Sequence, residues 1–364
     1  MKKIIFSNYD DKNNPFYGGG GAVAIHEVAR YLAHSFEVVV ITGKYTGSIN
    51  EIIDGVVYKR IGIAALPAQL AQLVFQFLLP IYVVKESFDI WIESFTPPFS
   101  TAFLPLFTQR PVIGLAHLLG GKQMYEKYKI PFHWLEALGL RYYKKVICIA
   151  PYQKQQLLSK NKNLEIFTIP NGISAEDLPE VIPLFDRKHI LFLGRIDIYQ
   201  KGLDLLVQSI AKIKDRLNNQ IIIAGVGTKV DEGKLKDLIA EHGLQSSFEF
   251  VGRVEGEKKK ELLRGALCMV LPSRVENFAI SALEAFAHGA PVLAFDIPGL
   301  NWFGLDVSVK VGPFDTDKFA EELVLFTKST TLRNTLGGNA FHFAKGFTWD
   351  KVAPQYKQVI EQSL

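Results

Sequence analysis

The feature that most constrains the fold is the alternation of short apolar runs with helical patterns along all 364 residues. Brief runs rich in β-branched residues are typical of buried strands. They are KKIIFS, EVVVIT, GVVYKRI, DIWIE, PVIGLAH, VICIA and FTIP in the first half, and HILFLG, QIIIAG, SFEFVG, CMVLP, PVLAF and VSVKV in the second. Helical patterns lie between many of these runs. The alternation predicts an α/β fold of parallel sheets with right-handed crossovers.

The length and one turn-rich segment predict two domains. A chain of 364 residues fits about two domains of ~150 residues each. The segment IPNGISAEDLPEVIPLFDRK, between the two sets of strands, is rich in proline, turn formers and charge. We therefore predict two Rossmann-like, doubly wound domains that face each other across a cleft, formed by residues 1–170 and 171–345.

Composition and charge exclude several other classes of protein. The net charge of +4 is too small to indicate a nucleic-acid partner, although the first half is the more basic. Cys148 and Cys268 each lie in an apolar run, which predicts buried thiols without metal or redox spacing. The first residues resemble a strand more than a signal peptide. We expect a cytoplasmic protein.

Several distinctive residues directly follow predicted strands. They are Gly18–Gly21, His117, Arg195, Gly225 and Glu276. In doubly wound sheets, ligands bind beyond the carboxyl ends of the strands. These positions are therefore the first candidates for a binding site.

Four glycines lead directly into the helical pattern AVAIHEVARYLA. Gly19, Gly20 and Gly21 carry no side chains to block a ligand, and the first N–H groups of a helix attract phosphate. The stretch is neither GxGxxG nor a P-loop, so a flexible turn is the alternative.

Two carboxylates mark a second candidate site, in SRVENFAISALEAFAHG. The pattern predicts a helix with Glu276 at its entrance and Glu284 two turns inside. The N–H groups of Phe278, Ala279 and Ile280 would then form an anion site. The apolar setting of Glu284 suggests that a ribose diol satisfies it. The alternative is that both glutamates are ordinary helix charges.

The loop GRIDIYQKG, Gly194–Gly202, holds two cations between a strand and a helix. Arg195 and Lys201 match the charge of a diphosphate, and charge-assisted bonds to phosphate are strong. Solubility is the alternative explanation.

Taken together, these motifs resemble those of the retaining family-4 glycosyltransferases of the GT-B fold. The resemblance is carried by GRIDIYQKGLDLL, by Glu276 and Glu284 in ENFAISALE, by FTIPNGIS and by the early glycines. It extends to FTWDKVAPQYKQVIEQ, and implies that residues 346–364 form a helix that crosses back to the first domain.

The resemblance also implies a role for each candidate residue. Arg195 and Lys201 would hold the donor diphosphate, Glu284 the ribose, and Glu276 the transferred sugar. The remaining implied contacts are Gly19, Gly20 and Gly21 near the phosphates, Gly225, Gly227, Arg253 and Val254 near the nucleoside, Asn277, Phe278, Ala279 and Ile280 in the sugar pocket, and His117 near the sugar and acceptor.

The implied reaction transfers a hexose from a nucleoside-diphosphate sugar, of the UDP-glucose or GDP-mannose type, to a hydroxyl of a glycan, glycolipid or lipid-linked acceptor. The anomeric configuration would be retained. No metal or cofactor is expected, since the string Asp315-Thr316-Asp317 is more typical of a helix cap.

The sequence departs from the family pattern in two places. Asn277 and Ala279 occupy positions where the family usually has glycine, and the segment after PVLAF, with Asp296 and Trp302, lacks the usual acidic, glycine-rich loop.

A GT-B nucleotide-sugar epimerase and a non-catalytic GT-B partner subunit are the alternative functions.

The segment Ala64–Val84 is interrupted by Pro67, Pro80 and three glutamines, which makes it a poor spanning helix. Gln69, Gln72 and Gln76 would mark a polar edge beside a broad apolar face. That face would rest on an anionic membrane, together with Lys122, Lys127, Lys129, Lys144 and Lys145, or else cover the first sheet as a core helix.

Overall fold

The computed structural model describes residues 1–14, 18–182 and 187–364, except for the side chains of Gln123, Glu126 and Lys127. The chain forms two compact units. Unit 1 comprises Met1–Asn171 and Trp349–Leu364, and unit 2 comprises Gly172–Thr348. The predicted limits of 1–170, 171–345 and 346–364 lie within a few residues of these bounds.

Unit 1 is built on an eight-stranded sheet of order β3-β4-β2-β1-β5-β6-β7-β8. Its strands are β1 (Lys3–Ser7), β2 (Glu37–Gly43), β3 (Glu51–Ile53), β4 (Val56–Ile61), β5 (Ile90–Ser94), β6 (Val112–Ala116), β7 (Lys145–Cys148) and β8 (Glu165–Thr168). All neighbouring pairs are parallel except β3 and β4. The antiparallel β3 was not predicted. Asp54 and Gly55, both with positive φ, connect it to β4.

Five helices of unit 1 follow these strands. They are α1 (Gly20–Leu32), α2 (Ala68–Lys85), α3 (Gly121–Tyr128), α4 (Phe132–Leu140) and α5 (Pro151–Lys160). Side chains of α1 and α2 pack into two separate apolar clusters, in which alternate residues of the central strands take part. The sheet is therefore covered on both faces, as its continuous apolar strands require.

Helix α2 is both a core helix and an exposed apolar surface. Phe75, Leu79 and Val83 are buried against the sheet. The predicted polar edge was wrong for Gln76, which is buried and donates a hydrogen bond to the Thr96 carbonyl. Within the described chain, α2 is the one helix that by length and composition is apolar enough to cross a membrane.

Unit 2 has a six-stranded, wholly parallel sheet of order β11-β10-β9-β12-β13-β14. Its strands are β9 (His189–Leu193), β10 (Ile221–Ala224), β11 (Phe248–Gly252), β12 (Ala266–Leu271), β13 (Val292–Phe295) and β14 (Ser308–Val311). Its helices are α6 (Leu203–Ala211), α7 (Lys229–Glu241), α8 (Gly256–Gly265), α9 (Ile280–Ala287), α10 (Thr316–Lys328) and α11 (Thr330–Ala344). This is the strand order of dinucleotide-binding sheets.

The last helix, α12 (Trp349–Glu361), belongs to unit 1 although it follows unit 2 in the chain. Trp349, Val352, Tyr356 and Ile360 join the same apolar cluster as α1 and the central strands. Unit 1 is thus assembled from both ends of the chain.

Candidate functional site

The strand order of unit 2 reverses between β9 and β12, at the centre of its sheet. Loops leave the carboxyl ends of these two strands on either side of the reversal, where parallel sheets bind ligands. Residues 194–202 form the loop after β9, and residues 272–279 form the loop after β12. Of the predicted site residues, these loops contain Arg195, Lys201, Glu276, Asn277, Phe278 and Ala279.

The two loops are joined by main-chain contacts. A Cβ atom on Gly202, which has a φ of 62°, would lie 1.8 Å from the Pro272 carbonyl oxygen, so only glycine fits. The N–H of Arg274 donates to the Gln200 carbonyl at 3.0 Å. The Arg274 guanidinium also forms two 2.7 Å hydrogen bonds with Asp204 of α6. The loops therefore form one braced surface.

Lys201 and Glu276 meet on this surface. Lys201 Nζ donates to Glu276 Oε1 at 2.7 Å, and the side chains are 19% and 6% exposed. The buried Ser273 hydroxyl donates to the same oxygen at 2.7 Å. A buried carboxylate is stable only when it is paired and hydrogen-bonded. The pair holds an ammonium group at the centre of the sheet edge.

Arg195 lies in the same loop but does not reach Glu276. Its side chain is 63% exposed. It donates to Gln200 Oε1 at 2.9 Å and lies 3.5 Å from Asp197. The structure thus places one predicted cation in a braced position and the other at the exposed rim.

The predicted helix start was wrong. Helix α9 begins at Ile280, with Ala279 as its N-cap at a φ of 57°, so Glu276–Phe278 form an irregular segment before the helix. Glu284 is consequently one turn inside the helix, not two. The first turn of α9 carries no acidic residue, and its N-cap, Ala279, offers no side-chain hydrogen bond to the first N–H groups.

Glu284 has a protein partner that the sequence did not reveal. Lys259 of α8 donates to Glu284 Oε1 at 2.8 Å, and both side chains are partly buried. Burial opposes protonation of this lysine, but attraction to Glu284, and to Asp177 and Glu255, raises the pKa of Lys259. Glu284 is therefore paired within the protein, and its contact with a ribose diol stays a prediction.

The glycines after β10 form a tight turn beside β9. A Cβ atom on Gly225 would lie 1.8 Å from the Gly194 carbonyl oxygen, and one on Gly227 would lie 2.3 Å from the Ile196 carbonyl oxygen. Gly225 N–H donates to the Gly252 carbonyl at the end of β11. The ends of three neighbouring strands are therefore in main-chain contact.

The other predicted nucleoside residues lie just beyond this turn. Val254 is buried, whereas Arg253 is exposed and pairs with Glu255 at 2.7 Å. Asn277 lies between Glu276 and the buried Phe278. In unit 2 the structure thus gathers the predicted residues at the carboxyl edge of one sheet.

The candidate residues of unit 1 are also gathered, at the carboxyl edge of its own sheet. Gly19 is the N-cap of α1, and Gly20 and Gly21 form the first turn. A Cβ atom on Gly21 would lie 3.5 Å from His117 Nδ1. His117 follows β6, and its Nδ1 lies 3.4 Å from the Ser94 hydroxyl at the end of β5.

His117 is a neutral polar group at ordinary pH. Its ring keeps some accessible surface but is enclosed by neighbouring atoms, and this desolvation lowers the pKa of His117 to about 4. Its buried Nε2 has no hydrogen-bond partner within the described part of the chain. The neutral ring therefore keeps one nitrogen, Nε2, whose hydrogen-bonding capacity the described contacts leave unused.

Two sequence predictions about other groups are confirmed. Asp315 is the N-cap of α10, and its side chain accepts a hydrogen bond from the Lys318 N–H at 2.9 Å. Cys148 and Cys268 are both free and buried. Among the residues that the structure describes, no group of three or more His, Cys, Asp or Glu side chains is arranged to hold a metal.

Sequence reasoning assigned no role to three residues that contact the candidate site: Lys259, which pairs with Glu284, Ser273, which donates to Glu276, and Trp302, which donates to the Phe278 carbonyl. Ser273 lies three residues before Glu276 in SRVE, a spacing typical of a local hydrogen bond. The other two act from distant elements, so no local pattern identifies them.

Two family models together match nearly the whole chain. Residues 18–177 match the model described as Glycosyltransferase Family 4, and residues 175–343 match Glycosyl transferases group 1. An uncharacterized glycosyltransferase of Methanocaldococcus jannaschii is 31% identical over 60% of this chain and 59% of its own length. The phosphatidyl-myo-inositol mannosyltransferase of Mycobacterium leprae is 29% identical over 53% of this chain and 52% of its own. The chain spans about half the length of these curated relatives.

Solved structures resemble the chain over its full length. Sucrose-phosphate synthase from Thermosynechococcus elongatus matches with a TM-score of 0.84 at 20% identity, covering 100% of this chain and 99% of that one. HepE from Anabaena in complex with UDP-glucose matches with a TM-score of 0.76 at 15% identity, covering 100% of both chains. WaaG, a glycosyltransferase involved in lipopolysaccharide biosynthesis, matches with a TM-score of 0.77 at 16% identity, covering 98% of this chain and 99% of that one. Likeness at this identity establishes the fold, which is GT-B, and with the two family models it makes the chain a member of the family-4, group 1 glycosyltransferases.

Proposed function

We propose that this glycosyltransferase transfers a hexose from a nucleoside-diphosphate sugar, with retention of configuration, to a hydroxyl of a glycan, glycolipid or lipid-linked acceptor. The observation that carries the proposal is the Lys201–Glu276 pair at the strand reversal of unit 2. It holds an ammonium group in the place where such sheets bind phosphates.

The proposed chemistry requires little from the protein beyond positioning and charge. The bond between the sugar C1 and the diphosphate oxygen breaks, and the acceptor oxygen bonds to C1 on the same face. The hydroxyl proton passes to the leaving phosphate oxygen. Negative charge develops on the diphosphate, so Lys201, Arg195 and the N-terminus of α9 would stabilise the transition state more than the ground state.

The identity of the donor rests on relatives and on charge. HepE, which shares the fold, has been solved with UDP-glucose, and a curated relative is a mannosyltransferase. Both names fit a hexose donor carried on a nucleoside diphosphate. Gly225, Gly227 and the main chain at Arg253 and Val254 are the proposed nucleoside contacts. Glu284 is the proposed ribose contact, Gly19–Gly21 are the proposed contacts near the phosphates, and His117 is the proposed contact near the sugar and acceptor.

A panel of nucleoside-diphosphate sugars, assayed for released UDP or GDP and for transferred sugar, tests the proposal. Release of the diphosphate coupled to a product of the same anomeric configuration supports it. A changed sugar on an intact nucleotide would instead identify an epimerase. Absence of any nucleotide binding would point to a partner subunit.

We also propose that turnover needs no metal, because cationic side chains and helix N–H groups supply the charge that a metal would otherwise provide. Activity in excess EDTA should equal activity with added Mg²⁺ or Mn²⁺. Loss in EDTA that manganese restores would overturn this part of the proposal.

We further propose that unit 1 rests on an anionic membrane, facing the cytoplasm, through a surface that we term the apolar face. Its exposed side chains are Leu70, Phe77, Ile81 and Val84 of α2, and Tyr125, Tyr128, Ile130 and Trp134 of α3, α4 and their connection. A chain of ring contacts links the two parts, from Phe77 to Phe99 at 6.0 Å and from Phe99 to Phe132 at 5.7 Å. Tryptophan and tyrosine favour membrane interfaces.

Basic residues supply charge complementarity to this surface. Lys122 lines the same cavity as Tyr125 and Trp134, and Lys129 Nζ lies 5.9 Å from the centre of the Tyr125 ring. Lys144 is exposed and Lys145 is half-buried, 3.7 Å from Glu165, and no described contact joins either of them to the apolar face. The side chain of Lys127 lies outside the described part of the chain. Exposed lysines beside an apolar surface favour anionic lipids.

Co-sedimentation at low salt, with vesicles of phosphatidylcholine alone and with added anionic phospholipid, tests the membrane proposal. Phe77→Ser with Trp134→Ser should abolish binding to anionic vesicles. Val230→Ser with Leu305→Ser, which changes two exposed apolar side chains of unit 2, is the control and should bind like the wild type. Failure of the wild-type protein to bind would refute this proposal without affecting the proposed reaction.

A further inference from the structure

We propose that Trp302 is a positioning residue that fixes the segment Glu276–Ala279 in the conformation that binds the donor. This inference rests on the proposed function. Trp302 lies between β13 and β14. It touches neither Lys201 nor Glu284 in any described contact, so its effect must pass through the main chain.

One tryptophan holds both the main chain and the side chain of Phe278. The indole Nε1–H donates to the Phe278 carbonyl oxygen at 2.5 Å. The indole ring also stacks on the Phe278 ring, with centroids 4.2 Å apart and planes 8° from parallel. Phe278 itself is buried. Its position is therefore determined by Trp302 in two independent ways.

The hydrogen bond also determines the direction of a functional N–H group. The Phe278 carbonyl and the Ala279 N–H belong to one planar peptide group and point in opposite directions when that peptide is trans. Because Trp302 anchors the carbonyl, the Ala279 N–H is directed away from the indole. Ala279 is the N-cap of α9. Its N–H is one of those proposed to meet the donor.

The anchored conformation is one that alanine adopts reluctantly. Ala279 has a φ of 57°, in the left-handed region that favours glycine. Without an anchor, the segment would populate other conformations. Ligand affinity would then fall in proportion to the population that remains competent.

A second contact from the same segment supports this role. A Cβ atom on the buried Gly299 would lie 1.8 Å from the Glu276 carbonyl oxygen, so the main chains touch there. Lys310 Nζ donates to the carbonyls of Leu300 and Phe303, each at 2.7 Å. The ring of Trp302 also packs against Phe303 at 4.9 Å and Phe347 at 5.5 Å. The anchor is therefore itself rigid.

Simple core packing is the competing explanation, and a conservative variant separates the two. Trp302→Phe keeps an aromatic ring but removes the N–H. Phe343→Leu is the matched control, because the Phe343 ring lies 6.0 Å from Trp302 and has no described contact with Phe278. Ala279→Gly is combined with Trp302→Phe to test rescue, since glycine adopts a positive φ without an anchor.

In Trp302→Phe we expect kcat/KM for the donor to fall about tenfold, the effect of one lost hydrogen bond. Phe343→Leu should change kcat/KM for the donor by less than about twofold, although its loss of Tm should be similar to that of Trp302→Phe. Ala279→Gly, measured in both backgrounds, should raise kcat/KM by about threefold or more in Trp302→Phe relative to its effect in the wild type. An unchanged kcat/KM in Trp302→Phe, or equal effects of Ala279→Gly in both backgrounds, would overturn the proposal.

A readout that needs no turnover distinguishes failure of the anchor from failure of the proposed function. Hydrogen exchange of the peptide covering residues 276–285 should be faster in Trp302→Phe than in Phe343→Leu. If the wild type transfers no sugar, the proposed function is refuted. The hydrogen-exchange comparison alone then decides whether Trp302 anchors the segment. Equal exchange in the two variants refutes the anchor whatever the activity.

Discussion

Lys259 Nζ lies 2.8 Å from Glu284 Oε1, so α8 fixes the carboxylate that is proposed to bind the donor ribose. Lys259→Met should leave Glu284 free to rotate and raise the dissociation constant for UDP or GDP by about threefold to tenfold, the effect of losing one ordinary hydrogen bond. Titration calorimetry measures this. Lys260→Met is the control, because Lys260 pairs with Asp177, 3.0 Å away. An equal effect of the two variants would contradict the assignment.

Lys201→Met should be the most damaging single change to turnover. It removes the ammonium proposed to oppose charge on the leaving diphosphate and leaves the buried Glu276 without its cation. We expect kcat/KM to fall by about 10²–10³, as for other groups that stabilise transition-state charge. Lys212→Met, which removes a surface lysine paired with Asp317, should retain normal kinetics. Wild-type kinetics in both variants would remove the basis of the proposed function.

Ala279→Gly should stabilise the protein, because glycine relieves the positive φ at the N-cap of α9. The strain is about 1–2 kcal/mol and is partly offset by the greater entropy of glycine in the unfolded chain, which leaves a gain of up to about 1 kcal/mol. Urea unfolding measures the change. Ala285→Gly, inside the same helix, should lower stability instead. Destabilisation by both variants would contradict the strained N-cap.

Gly225→Ala should destabilise unit 2 by about 3 kcal/mol, because the added Cβ would lie 1.8 Å from a main-chain oxygen at a φ of 153°. Gly233→Ala is the matched control. Gly233 lies within α7 with open space around its Cβ position. Alanine at this position should therefore raise the free energy of unfolding by about 0.5–1 kcal/mol. The two thermal midpoints should move in opposite directions. A parallel shift would show that the tight turn tolerates a side chain.

His117→Gln should make the protein less sensitive to acid. The histidine has a pKa near 6.5 when unfolded and about 4 when folded. Between these values the unfolded state binds more protons, so His117 contributes a loss of stability as pH falls through that window. The variant should remove a slope of at most about 1.4 kcal/mol per pH unit between pH 6.5 and 4. Urea unfolding at several pH values measures this, and unchanged slopes would refute it.

Strand runs and their connections could be predicted because a buried parallel strand carries its signal in its own residues. The segments HILFLG and CMVLP are examples, and each ends where a loop with candidate site residues begins. The short β3 was missed, although Asp54-Gly55 between apolar residues is a hairpin signal. The start of α9 was misjudged because Phe278 and Ala279 look helical and are held otherwise by Trp302, a distant residue. The partner of Glu284 was likewise invisible, since Lys259 lies on another helix.

Helix α12 is synthesised last but packs in the core of unit 1, so unit 1 cannot complete its folding until the whole chain has been made. The strands of unit 1 emerge from the ribosome first, but Val352, Tyr356 and Ile360 complete their apolar cluster only after all of unit 2 has been made. During translation, the groove beside α1 that these side chains fill stays open to water or to a chaperone. A chain truncated after Thr348 would therefore contain all residues of unit 2 but lack the helix that completes the apolar cluster of unit 1.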